Sequence, residues 1–84
     1  MRVTYFGAEH CPQCRVWSPK FKLLCEKRQI PFDVVDVDKS PERATLYGVR
    51  GIPYVFLQDD DGDIITKGPA ADVYGFIESL PNGR

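Results

Sequence analysis

The sequence predicts a small α/β protein whose elements follow the order βαβαββα in one layer-built unit. Three observations carry this. Short β-branched and aromatic runs end at Gly, Pro or Asp clusters, and apolar residues recur at helical spacing between residues 12 and 28 and again between 70 and 80. The length of 84 residues supports one modest core, so residues 1–84 are read as a single domain.

The first strand is Val3 to Gly7, β-branched and aromatic and closed by a glycine. A loop through Glu9 and His10 leads to a helix that opens at Pro12, where a missing N–H is tolerated, and runs to about Arg28. Val16, Trp17, Phe21 and Leu24 form its expected apolar face, and Pro19 should bend it. Ile30-Pro31 turns the chain into a second strand, Phe32 to Asp38. Asp38 or Ser40 can cap a short helix that ends at Tyr47, stopped by Gly48. Pro53 to Gln58 is the third strand, Asp59-Asp60-Asp61-Gly62 a hairpin turn, and Asp63 to Lys67 the fourth strand. Gly68-Pro69 should break the pattern before a last helix, Ala70 to Leu80, with Val73, Phe76, Ile77 and Leu80 inward. Pro81 to Arg84 is expected to fray. The acidic turn lacks the later glutamate of a calcium loop, and a solvated hairpin tip is preferred.

Composition narrows the function. With 11 basic and 12 acidic residues the net charge is −1, and no basic stripe is present to neutralise phosphates, so nucleic acid is not an expected partner. No run reaches the roughly 18 apolar residues of a membrane span. Three cysteines are too few for the disulfide framework of a secreted mini-protein. The expectation is a soluble, cytoplasmic protein in which a Cys-x-x-Cys is redox-active.

That motif is Cys11-Pro12-Gln13-Cys14. A thiol at a helix N-terminus faces unpaired backbone N–H groups and the positive end of the macrodipole, which favour the thiolate that attacks disulfides. Cys11, at the helix end and expected to be the more exposed, is the candidate nucleophile; Cys14, one turn deeper, is the candidate resolving thiol. Two intervening residues bring their Cα atoms close enough for low-strain closure. Pro12 and Gln13 tune the poise, and a protonated His10 offers a positive charge beside Cys11.

These residues resemble the thioredoxin and glutaredoxin superfamily over nearly the whole chain. Ala8 through Cys14 is similar to the thioredoxin active-site loop, with His10 in place of its usual tryptophan, and Pro19 sits where thioredoxins carry a helix-kinking proline. Tyr47-Gly48-Val49-Arg50-Gly51-Ile52-Pro53 resembles the segment leading to the family's cis-proline, and Gly68 the glycine beside it. The extra N-terminal strand and helix of full-length thioredoxins have no counterpart. The resemblance therefore implies a minimal thioredoxin fold: a four-stranded mixed sheet flanked by three helices. It also implies that Ile52 offers backbone groups to an extended substrate segment, with Arg50, Gly51, Pro53 and Gly68 around it. One departure stands out. Tyr5 holds the position of the family's buried acid and Val34 that of its lysine partner, so the pair is lost together and Cys14 needs another proton acceptor, for which Glu9, His10 and water are candidates.

The activity implied is that of a monomeric thiol–disulfide oxidoreductase that reduces protein disulfides, with ribonucleotide reductase one candidate client. No cofactor is bound. Electrons come from NADPH through a flavin-dependent, thioredoxin-reductase-type enzyme, at a potential of roughly −200 to −270 mV. Glutathione is the alternative donor, but Pro69 removes a backbone donor from the Gly68–Asp72 turn and no Lys or Arg stands just before Cys11. A third reading of another class is a metal or iron–sulfur module, or a partner subunit. Cys25 lies 14 residues beyond Cys11, about 20 Å along a helix, too far to complete a site with Cys11 and Cys14. Cys25 is read mainly as an apolar filler.

Overall fold

Strand β1 (Arg2–Gly7) is the hub on which the other elements are laid. It pairs in parallel with β2 (Phe32–Asp36) and antiparallel with β3 (Tyr54–Gln58), and β3 pairs antiparallel with β4 (Ile64–Pro69). The sheet is four-stranded and mixed, in the order β2-β1-β3-β4. Helices α1 (Pro12–Arg28), α2 (Pro41–Tyr47) and α3 (Ala70–Glu78) complete the βαβαββα order. The structure, a computed structural model, describes residues 1–81; the expected frayed tail lies outside the described residues from residue 82 onward.

Because β1 and β3 are central, both of their faces are buried and their sequences are apolar at consecutive positions instead of alternating. Val3, Tyr5, Val55 and Leu57 join Phe21, Leu24 and Cys25 of α1 and Val73 and Ile77 of α3 in the larger cluster. Phe6, Phe56 and Val35 form a smaller one, closed by Ala44 and Tyr47 of α2. Helices α1 and α3 thus cover one face of the sheet and α2 the other. Phe21 is the centre of the larger cluster: it stacks on Phe32 at 6.5 Å and meets Tyr5 at 5.6 Å and Tyr74 at 5.3 Å edge-on. Arg28 joins the C-terminal ends of the two helices, donating to the carbonyls of Leu80 at 2.8 Å and Glu78 at 3.0 Å.

Several expected details differ. On α1, Val16 is 56% exposed and Leu23, two turns on, is exposed with it; both lie on the outer side, and the inward face is Cys14, Trp17, Phe21, Leu24 and Cys25. Strand β2 stops at Asp36, two residues early, because Asp36 Oδ1 accepts the N–H groups of Asp38 and Lys39 and turns the chain. Ser40 is the N-cap of α2 but makes no side-chain capping bond, whereas Gly48 ends it in the left-handed region at φ 71°. Strand β4 continues through Gly68 and Pro69, a proline tolerated because β4 is an edge strand. Helix α3 ends at Glu78; Phe76 is 40% exposed, and Tyr74 packs inward instead.

Candidate active site

The loop from β1 to α1 is held on both sides. Cys11 N–H bonds Ala8 O at 3.2 Å within it, and Val37 N–H reaches Gly7 O at 2.9 Å from beyond β2. Two exposed contacts tie the loop to the Asp36–Ser40 turn: His10 Nδ1 lies 3.1 Å from Asp38 Oδ2, and Lys39 Nζ pairs with Glu9 Oε2 at 3.7 Å. At such exposure they orient the loop more than they stabilise it.

Cys11 is the N-cap residue of α1, extended at φ −88° and ψ 109°, with exposed Pro12 at the first helical position. Its Sγ accepts the N–H of Cys14 at 3.2 Å, a helix-start donor that it shares with the Cys11 carbonyl at 3.1 Å. The two thiols are both reduced and both buried, at 8% and 5% exposure. Cys11 is thus only slightly more accessible than Cys14, a narrower margin than expected, because both belong to one apolar cluster with Phe21, Val55 and Ala70. Burial pushes the Cys14 thiol up and the adjacent Cys11 side chain adds to this, while the Ala8 backbone and the Tyr5 side chain pull it down.

A groove of about 380 Å³, whose lining includes Gln13 of the motif but neither thiol, is formed by Gln13, Trp17, Gly51, Ile52, Pro53, Tyr54, Pro69, Ala70 and Ala71. The Ile52–Pro53 peptide is cis. Arg50 is exposed on the same segment but is not part of the lining, and Gly68 is withdrawn into β4, where it pairs with Val55. Trp17, read from the sequence only as packing, is a wall of the groove, with Lys20 Nζ 4.9 Å over its ring. Its position one turn after Cys14 on the same helix face carried that signal.

A second cavity, of about 200 Å³, reaches Cys14 but not Cys11 and is lined by Tyr5, Gly7, Ala8, Glu9, Cys14, Arg15, Ser18, Val34 and Asp36. Tyr5 and Val34 are paired in the β1–β2 register. Among the described residues no group of three or more His, Cys, Asp or Glu side chains is arranged to hold a metal ion, and no helix is long and apolar enough to cross a membrane.

Cys25 stands apart, 1% exposed on the inward face of α1, where burial pushes its thiol up to about 11. Alkylation of the native reduced protein at pH 7, read by mass spectrometry, is expected to leave Cys25 unmodified while Cys11 reacts; modification of both at one rate would show that the helix does not shield it. The raised folded-state value also sets a pH dependence. The stability it contributes is complete below the ordinary thiol value of about 9 and is lost as pH rises through about 11.

A family profile described as Thioredoxin matches residues 1–79. The SPbeta prophage-derived thioredoxin-like protein YosR of Bacillus subtilis is 31% identical over 67 residues, covering 80% of this chain and 79% of that protein. Thioredoxin H5 of Oryza sativa is 36% identical over 81 residues, 93% of this chain but only 60% of the rice protein. Thioredoxin 1 of Thermosipho africanus shares the fold, with a TM-score of 0.83 at 24% identity, covering 93% of this chain and 91% of that one.

Proposed function

The chain belongs to the thioredoxin family of thiol–disulfide oxidoreductases, and on that premise we propose that it reduces protein disulfides by cycling Cys11 and Cys14 between dithiol and disulfide. The observation that carries this is the Cys11 sulfur seated at the α1 N-terminus with the Cys14 N–H aimed at it at 3.2 Å. The Cys11 thiolate attacks one sulfur of a substrate disulfide; a Cys11–substrate bond forms, the substrate S–S bond breaks, and a substrate thiolate leaves. Cys14 then loses its proton and attacks Cys11 Sγ, which closes the Cys11–Cys14 bond and releases the second substrate thiolate. Two electrons pass to the substrate.

The groove suits an extended peptide lying along Gly51, Ile52 and Pro53, with Gln13 and Trp17 opposite. Its lining holds no Lys or Arg, and Pro69 supplies no N–H, so the carboxylates of glutathione find no cation among the lining residues and one backbone donor fewer. This favours recharging from NADPH through a flavin-dependent reductase of the thioredoxin-reductase type, with the protein acting as a monomer in the reducing cytoplasm and ribonucleotide reductase among the clients to test. NADPH consumption during reduction of a protein disulfide, run with thioredoxin reductase and in parallel with glutathione plus glutathione reductase, decides between the donors. Turnover is expected in the first arm. Turnover only in the second would make the protein a glutaredoxin, and turnover in neither would overturn the reductase reading.

A further inference from the structure

Tyr5 is a buried polar side chain that the reaction above leaves without a task. It is 1% exposed, and its hydroxyl makes no hydrogen bond of good geometry although the Cys14 thiol lies beside it. A buried hydroxyl carries a desolvation cost that a phenylalanine would not, and the Cys14 thiol is the protein group placed to pair with it. Gly7 makes the approach possible. A Cβ there would stand 2.9 Å from Tyr5 Cε1 and 3.0 Å from Cys14 Sγ, so the tyrosine ring and the thiol share the space a side chain would fill.

We propose that the Tyr5 hydroxyl is the hydrogen-bond donor that holds Cys14 as a thiolate while it resolves the mixed disulfide. The inference rests on the proposed dithiol cycle. Tyr5 acts as a donor and keeps its proton throughout: burial, reinforced by the neighbouring Cys14 and Cys11 thiols, pushes its phenol well above the ordinary range, so it is no base at neutral pH. The proton that Cys14 sheds therefore goes to water in the cavity behind it, whose lining includes the Glu9 and Asp36 carboxylates. Cys14 then attacks Cys11 Sγ with its electron pair, the Cys11–substrate bond breaks, and the departing thiolate takes a proton from solvent. The titratable and charged groups around Cys14 are Cys11 and Glu9 from the loop, Arg15 from α1, Tyr5 from β1 and Asp36 from β2. Of these, Tyr5 is the one whose donor is buried and free.

Tyr5→Phe removes the hydroxyl and keeps the ring against Phe21 and Phe32, and a wild-type circular dichroism spectrum is expected of it. Stopped-flow mixing of reduced protein with dithiobis-nitrobenzoate separates the two steps: Cys11 attack releases one coloured aryl thiolate, and Cys14 attack on the resulting mixed disulfide releases a second. Cys14→Ser identifies the second phase by abolishing it. In Tyr5→Phe the first phase is expected to keep its rate within about twofold, and the second to slow by about tenfold at pH 7. The pH midpoint of the second phase should rise by about one unit, so that the two proteins converge at alkaline pH. A second phase of unchanged rate and pH profile, or equal slowing of both phases, would overturn the proposal. Absence of a second phase in the wild-type protein would overturn the dithiol cycle itself, and this inference with it.

Discussion

Cys11→Ser is expected to lower disulfide turnover by about three orders of magnitude or more, to the level of uncatalysed exchange. A serine hydroxyl is not ionised at neutral pH and cannot enter a mixed disulfide, so the N–H that Cys14 directs at position 11 has no nucleophile to serve. Cys14→Ser should fail differently. The first attack survives and the protein accumulates covalently joined to its substrate, visible as an added mass that a reductant removes. Residual turnover by Cys11→Ser at a tenth of wild type would mean that another thiol carries the reaction.

Phe21→Ala is the largest expected loss of stability, about 3–5 kcal/mol. Phe21 is fully buried and its ring touches Tyr5, Phe32, Trp17 and Tyr74, drawn from β1, β2, α1 and α3. A chain of 84 residues has a total stability of roughly 4–13 kcal/mol, so the variant loses a large share of it and should melt at least about 12 °C lower. Thermal and denaturant unfolding followed by circular dichroism would measure it. A loss below about 1 kcal/mol would show that the aromatic neighbours collapse into the space.

The order of elements and the thiol–disulfide oxidoreductase family were legible because both are written locally: in turn residues, in helical spacing, in a motif of four residues. What was hidden depends on which elements become neighbours. Val16 and Phe76 are as apolar as Phe21 and Ile77, but a sheet of four strands covers only one side of each helix, and the spacing alone left the phase of that side open by one residue. Gly68-Pro69 reads as a break until β4 is known to be an edge strand, where a missing N–H costs nothing. The narrow difference in exposure between Cys11 and Cys14 likewise comes from Val55 and Ala70, residues far along the chain. Tyr5 was visible as a departure from the family's buried acid, yet its approach to Cys14 depends on Gly7, whose missing side chain gains meaning only once β1 and α1 are packed.

Helix α1 carries all three cysteines, Cys11 as its cap and Cys14 and Cys25 within it, and this bears on the chain as it leaves the ribosome. In an extended nascent segment any two of these sulfurs can meet, and an early oxidant could join Cys25 to either partner. Once the helix forms, the 11 residues from Cys14 to Cys25 span about 16 Å, and that pairing is out of reach. The helix is complete at residue 28, whereas the first strand pair needs β2 through residue 36 and the full sheet needs β4 through residue 69. The helix by itself thus sets Cys25 apart from Cys11 and Cys14, independently of the packing that conceals it.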